Sequence, residues 1–353
     1  MNNTLIFASE KEVRFGKLLK FIIPTYLTSL FNTVYTIIDG IFVSAYVGTN
    51  ALVAINIVYP IVNVLFGIAL AFAAGGSAVV ALHIGGGKKD AASRAFSASV
   101  IASMLVGGLV ALGVLLNLSG ILTLLGATPL TMQDCKIYAL WWLWGTPLMI
   151  GKELFPYFIR VDGSPTYSFA TALSGGVLNI VMDYVLVGRM QMGIRGAALA
   201  TIMGLALSTC MGIYYFLRKN KTFSFTLRGL SVKESLYCLV NGGSEFINQL
   251  AVAITTIVFN RTALAFAGED GVAAVSIIMY LQFLFIGVYS GFSIGIAPPL
   301  GWVYGEGKMD VCRKLERYAH RFFAIAPFVI YALTYFLVSA AFLAVEFVVG
   351  NAV

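Results

Sequence analysis

Nine long apolar runs, separated by short polar stretches, dominate the pattern of hydrophobic and polar positions along the chain. Each run holds the roughly 20 mostly apolar residues that a helix needs to cross the hydrocarbon core of a bilayer. The pattern therefore predicts an all-α polytopic membrane protein with about nine transmembrane helices. The predicted spans are 21–43, 52–74, 95–117, 137–159, 167–187, 194–217, 236–260, 272–297 and 322–345.

Basic residues in the connections predict the orientation of these spans. Eighteen Lys and Arg side chains fall on one side of the nine-span arrangement and four on the other, while Lys152 lies inside a span. Cytoplasmic loops of membrane proteins carry the excess of Lys and Arg. We therefore expect a multi-pass protein of the cell membrane, with its N-terminus in the cytoplasm and the C-terminus of this chain outside.

Composition then narrows the function classes. The 353 residues are 59% hydrophobic and 11% charged, whereas a soluble domain carries about 25% charged residues. These values exclude a soluble globular enzyme, a disordered chain and a disulfide scaffold. Since the sequence offers no nucleophile–base pair, zinc spacing or cofactor loop, we expect no enzymatic activity and no cofactor. The net charge of +7 follows from the basic cytoplasmic loops and does not predict a nucleic-acid partner.

Two sequence elements recur at one constant offset of 220 residues. The element at 48–57 returns at 268–277, and the glycine-rich element at 85–90 returns at 305–310. Internal repeats of this kind are common in transporters, whose substrate path lies between the two halves. Six spans in the first copy make the two copies parallel, so we expect two lobes of the same orientation.

The repeat also predicts the domain organisation. The second copy stops after three of its six expected spans, so we expect an amino-terminal piece of a twelve-helix protein. The predicted parts are a cytoplasmic N-terminus over 1–20, a six-helix amino lobe over 21–217, a cytoplasmic linker over 218–235 and an incomplete carboxyl lobe of three helices over 236–353.

Polar side chains inside the spans predict a cation site, because ionisable groups within a membrane are costly and usually functional. Asp39, Asp183 and Thr201 all lie roughly 8–11 Å below the outer boundary, at 1.5 Å per residue. Asn179 lies one turn deeper than Asp183 on the same helical face. These oxygen ligands suit Na⁺, and a buried carboxylate pair can instead hold a proton. The alternative is that each side chain bonds to backbone or water in a tight bundle.

Other polar positions extend this picture. Tyr35 and Asn32 continue a polar stripe below the aspartate of the first span. In the seventh span, Glu245 and Gln249, one turn apart, could face a cavity from the carboxyl lobe or make structural hydrogen bonds at a glycine-loosened helix. The adjacent Lys152 and Glu153 point to different faces, so they need not pair. They lie near the inner end of the fourth span, where a lysine can snorkel, and a structural role is favoured.

Several motifs resemble a known family. Leu178-Asn-Ile-Val-Met-Asp183 followed by Met192-Gly-Ile-Arg-Gly-Ala-Ala-Leu-Ala-Thr201 resembles the signature of the multidrug and toxic compound extrusion (MATE) transporters. Arg160-Val-Asp-Gly-Ser-Pro165 resembles the family's loop before the fifth helix, and Ile23-Pro24 with Asp39 resembles its first helix. The branch looks like the bacterial MepA/DinF-like one.

The resemblance implies an antiporter that exchanges Na⁺ or H⁺ for cationic amphiphilic small molecules across the membrane by alternating access. It implies that Asp39, Asn179, Asp183 and Thr201 form the ion site. Tyr35, Asn32 and Tyr138 are further candidates for the polar network around it. The implied partners are the transported drug and membrane lipid, and the coupling ion takes the place of a cofactor.

Two other functions stay open at this point. A lipid-linked oligosaccharide flippase of the same superfamily would share the lobe architecture, but it needs several cationic side chains to hold a pyrophosphate. Here carboxylates outnumber the single basic residue well inside a span, which favours a cationic cargo. The other alternative is a non-transporting truncated chain.

Overall fold

The computed structural model describes residues 14–47, 49–218 and 221–350, with the side chains left undescribed at 36–37, 39–41, 43–45, 49–52, much of 253–284 and most of 333–350. Within these ranges the chain forms helices and connecting loops without a β-strand, which confirms the predicted all-α membrane fold. The helices are α1 (Phe15–Tyr46), α2 (Thr49–Gly85), α3 (Lys89–Leu116), α4 (Leu118–Leu124), α5 (Met132–Trp144), α6 (Thr146–Val161), α7 (Pro165–Met182), α8 (Gly193–Leu217), α9 (Val232–Asn241), α10 (Gly243–Gly305) and α11 (Met309–Gly350). A π-helical segment, Asp183–Arg189, continues α7.

Long apolar helices make this a multi-pass membrane protein. In the described part of the chain, the stretches long and apolar enough to cross a bilayer are Val53–Gly85, Lys89–Leu116, Pro165–Arg189, Gly193–Leu217 and Phe285–Gly305. On α3, Leu105, Leu109, Leu112 and Leu116 form one exposed stripe. In water such a stripe would be unfavourable, but in a bilayer it faces lipid, and the helix satisfies its own backbone hydrogen bonds.

Two predicted spans are interrupted by glycine. The predicted span 137–159 is divided between α5 and α6, which meet at Gly145, and Pro147 in the first turn of α6 has no N–H to continue the ladder of α5. The predicted span 236–260 is divided between α9 and α10 at Gly242. The two interruptions were not predicted, because an apolar run does not show where a helix bends.

The long element α10 reverses direction. Phe246 lies 2.8 Å from where a Cβ of Gly67 would stand, and a Cβ on Gly301 would lie 2.5 Å from Ala81. A straight helix would separate Phe246 from Gly301 by about 82 Å, whereas Gly67 and Ala81 are about 21 Å apart along α2. The two ends of α10 therefore run antiparallel, as two separate predicted spans require. The predicted loop at 261–271 is helical instead.

Glycines bring α10 close to the first helices. Gly287, Gly291 and Gly295 recur every four residues, and a Cβ on each would lie 2.8–2.9 Å from atoms of α1. Small residues at this spacing let two helix backbones approach closely in a membrane. The close contact fixes α10 along the segment of α1 between Ile22 and Thr33.

The segment after α8 docks onto the amino lobe, which we define as α1–α8. The backbone N–H groups of Ser224 and Thr226 donate to the hydroxyls of Ser93 and Ser97 on α3, at 3.1 and 2.8 Å. Phe223 is buried between them and the aromatic rings of the lobe. The predicted linker is therefore held against α3 from residue 223 to residue 226.

Asp162 secures the start of the same segment. Its carboxylate accepts hydrogen bonds from the hydroxyl of Tyr215 at 2.6 Å and from the backbone N–H of Thr222 at 2.9 Å. The ammonium of Lys221 lies 3.8 Å from it. Partial burial lowers the pKa of Lys221, and the Asp162 carboxylate opposes this change. The loop between α6 and α7 thus ties the end of α8 to the linker.

Candidate cation site in the amino lobe

Two glycines set the distance between α7 and α8. A Cβ on Gly204 would lie 2.6 Å from the carbonyl oxygen of Gly175 and 3.0 Å from the Cβ of Asn179. A Cβ on Gly175 would in turn lie 2.0 Å from the hydroxyl of Ser208. The absence of both side chains lets the two backbones touch. This contact brings the polar residues of α7 and α8 to the same level.

A small buried cavity lies where α1, α7 and α8 meet. Its volume is about 10 Å³, which is room for about one water molecule on the same measure. A dehydrated Na⁺ is no larger than a water molecule. The polar groups that line the cavity come from four helices and are Asn32, Tyr35, Lys152, Asn179, Thr201 and Ser208.

Among these residues, Asn179 gives the strongest indication that the cavity holds a ligand. Its side chain is 3% exposed, and within the described part of the chain neither its amide oxygen nor its amide nitrogen has a hydrogen-bond partner. A buried polar group without a partner costs about 1–3 kcal/mol, so it calls for an occupant of the cavity, such as a water molecule or an ion. The amide oxygen is a suitable ligand for a hard cation.

Thr201 presents acceptor atoms to the same cavity. Its hydroxyl donates to the carbonyl oxygen of Ala197 one turn earlier, at 3.0 Å. Because the hydroxyl proton is used within α8, the oxygen lone pairs are left for an electron-poor ligand. Thr201 and Asn179 therefore offer two neutral oxygen ligands to one small space, which agrees with their predicted grouping.

The two predicted carboxylates, Asp39 and Asp183, lie near the C-terminal ends of α1 and α7. Asp183 is fully buried, and its backbone N–H bonds to the carbonyl of Asn179, one turn deeper. It opens the π-helical segment, a wider turn that is often found at functional sites. Asp183 is absent from the cavity lining. Asp39 follows Tyr35 by one turn on α1, and its side chain lies outside the described residues.

The remaining candidates lie elsewhere. Tyr138 is buried on α5 against Trp142, with ring centroids 6.3 Å apart, and does not line the cavity. Gln249 packs on Gly67 of α2. Glu245 lies within Coulombic range of Tyr157 on α6. These last two therefore face the amino lobe from α10 and stand apart from the cavity.

Sequence reasoning missed the role of two basic residues on α6. Lys152 lines the cavity, and its ammonium pairs with Glu153, although adjacent residues were expected to point apart. Both side chains are long enough to curl back to each other. Arg160, assigned to a cytoplasmic loop, is 3% exposed, donates to Ser168 at 3.0 Å and stacks on the ring of Tyr157 at 4.4 Å. Only contacts between distant segments reveal these positions.

Solved structures share this arrangement of helices. The chain superposes on a MATE crystallised in complex with MaD3S with a TM-score of 0.87, covering 97% of this chain and 77% of that one at 23% identity. It superposes on the outward-facing conformation of a multidrug resistance MATE family transporter with a TM-score of 0.85, covering 92% and 73% at 24% identity. The MatE family model matches residues 24–185.

This chain has the MATE fold. Its matched region runs from the proline of α1 into the π-helical segment, so it includes Asn179 and Asp183. The resemblance given by the sequence motifs is thereby confirmed.

Curated relatives of this MATE-fold chain cover most of its length. It is 26% identical over 313 residues to the multidrug export protein MepA of Staphylococcus saprophyticus, which spans 87% of this chain and 68% of that protein. It is 25% identical over 311 residues to MepA of Staphylococcus haemolyticus, with the same coverage. The likeness therefore extends beyond the MatE region into the helices after the linker.

Proposed function

We propose that this chain is an ion-coupled antiporter that exports organic cations from the cell, with Na⁺ or H⁺ bound in the amino lobe by Asp39, Asn179, Asp183 and Thr201. The observation that carries the proposal is the buried Asn179 amide, which has both polar atoms beside a cavity of one-ion size. Relatives named multidrug export proteins support the transported class.

Coupling follows from the charges of the site. Two carboxylates at one depth in a poorly solvated interior repel each other, so they cannot both stay ionised without a compensating cation. Either Na⁺ joins them or one of them takes up a proton. Because binding removes this repulsion, the ion favours one packing of α1 against α7 and α8, and that change of shape couples the ion to the cargo.

The cargo path lies between the amino lobe and the helices after the linker. Glu245 is a carboxylate on α10 that faces α6, so it can attract a cationic amphiphile there. The proposed orientation places the N-terminus in the cytoplasm, which puts the cation site nearer the outer face.

Cation binding to the purified chain tests the site. Isothermal titration with Na⁺ and a tryptophan-fluorescence pH titration together cover both coupling ions. We expect Asn179→Leu to weaken ion binding at least tenfold. The control is Asn241→Leu, because Asn241 is exposed at the end of α9 and its side-chain amide donates to the carbonyl oxygen of Tyr237 in the same helix, at 2.8 Å. Equal ion affinity in the two variants would contradict the proposed site.

Efflux tests the transported class. In a bacterial host without its own pumps, we expect ethidium export that depends on a Na⁺ or pH gradient. Asp39→Asn should abolish this dependence at normal expression. Gradient-independent export, or export of neutral dyes alone, would overturn the antiport of cations.

A further inference from the structure

Lys152 is a basic residue in the lining of the cavity proposed to bind a cation. It lines the cavity from α6, and its ammonium pairs with Glu153 and lies 5.7 Å from the centre of the Phe66 ring. Its side chain is 14% exposed. A lysine that only snorkelled to the membrane surface would leave the cavity lined by neutral groups.

Contacts of its neighbour fix where along the cavity Lys152 lies. A Cβ on Gly151 would be 2.5 Å from the side chain of Thr209 on α8, so this turn of α6 lies beside Ser208. Ser208 and Thr201 both line the cavity and are seven residues apart, which is about 10 Å along α8. Lys152 therefore lies at the deeper end, away from Thr201.

We propose that Lys152 is a tethered cation that competes with the coupling ion for the amino-lobe cavity and sets a low affinity for that ion. The inference rests on the proposed cation site. The cavity has room for about one small ion, and its two ends are close enough for like charges to repel across a poorly solvated interior. Glu153 moderates the effect, because it neutralises part of the lysine charge. A low affinity favours release of the ion after each cycle.

Charge variants at Lys152 test this competition in the same two titrations. Lys152→Met keeps the length of the side chain and removes the charge, so we expect Na⁺ to bind at least tenfold more tightly. If the coupling ion is a proton, the midpoint of the pH titration should rise by about one pH unit, since loss of a nearby positive charge favours protonation of a carboxylate. Lys152→Arg keeps the charge and should stay within threefold of the parent chain.

Two further variants separate charge from packing. Glu153→Gln leaves the lysine uncompensated and should weaken ion binding. Lys308→Met is the matched control, because it removes a lysine from an equivalent pair with Glu306, at 2.6 Å, in the loop before α11. It should leave the affinity unchanged. Each variant is checked by size-exclusion chromatography before titration.

The outcomes distinguish this inference from the proposed function. In one outcome, the parent chain binds the ion, Asn179→Leu abolishes binding and Lys152→Met keeps the parent affinity. This result would support the cation site and refute the competition by Lys152. If Lys152→Arg and Lys152→Met change affinity alike, Lys152 acts through packing and the inference again fails. If neither the parent nor Lys152→Met binds Na⁺ or protons, both proposals fall.

Discussion

The contact between α7 and α8 leads to a direct prediction about the proposed cation site. Replacing Gly204 by alanine adds a Cβ 2.6 Å from the carbonyl oxygen of Gly175, where ordinary van der Waals contact begins at 3.4 Å. The two helices must separate by about 0.8 Å, the difference between these distances. The obstructing atom belongs to the backbone, so no side-chain rotation relieves the clash.

Two opposing energies set the size of the effect. Overpacking of this kind costs about 1–3 kcal/mol, while alanine gains up to about 1 kcal/mol over glycine in a helix. The gain in helix propensity from glycine to alanine is measured by Gly108→Ala on α3, because a Cβ there meets nothing within 4 Å. The difference between the two variants therefore isolates the helix contact, and we expect Gly204→Ala to be the less stable by about 1–3 kcal/mol.

Thermal unfolding in detergent, followed by tryptophan fluorescence, measures the stability difference, and Na⁺ or proton titration measures the site. The added Cβ also lies 3.0 Å from the Cβ of Asn179, so the separation moves this amide relative to Thr201. We expect the ion affinity of Gly204→Ala to fall at least tenfold while Gly108→Ala keeps the parent affinity. Identical stability and affinity in the two variants would refute the reasoning.

Three further predictions test other parts of the molecule. Reporter fusions should give an outside signal after Val353 and a cytoplasmic signal after Lys221; two cytoplasmic signals would rule out nine crossings. Asp183→Asn should abolish ion-dependent ethidium export at unchanged membrane expression, and full drug resistance in such cells would remove Asp183 from the site. Asp162→Ala removes the acceptor for Tyr215 and for the linker backbone, so limited proteolysis should cut residues 219–230 faster than in the parent chain; an unchanged digestion rate would show that the linker is held without it.

Local chemistry made much of the fold predictable. Apolar runs mark helices because a backbone in lipid must satisfy its own hydrogen bonds, and the spacing of Asn179 and Asp183 places them one turn apart in any helix. Their grouping with Thr201 followed from depth alone. Asn179 and Thr201 do line one cavity, and their role in binding an ion stays a prediction.

Other features depend on contacts that no local pattern contains. The α7–α8 distance depends on Gly175 meeting Gly204, and the place of Lys152 depends on Gly151 meeting Thr209, which are distant in sequence. The π-helical turn at Asp183 has no sequence signature. The helix at 261–271, where a loop was expected, has no local signal either, because two glycines in this stretch disfavour a helix.

The docked linker determines where the molecule can hinge. Since the backbone N–H groups of Ser224 and Thr226 are bonded to α3 and Cys238 of α9 is fully buried, the chain between the two groups of helices is not a loose tether. A Cβ on Gly242 would lie 1.8 Å from the carbonyl oxygen of Ala71, so α9 is also held against α2. The first turn of α10 is held as well, because Phe246 packs on Gly67 of α2. The linker, α9 and this turn therefore belong to one body with the amino lobe, so the two groups of helices cannot separate at the connection between them.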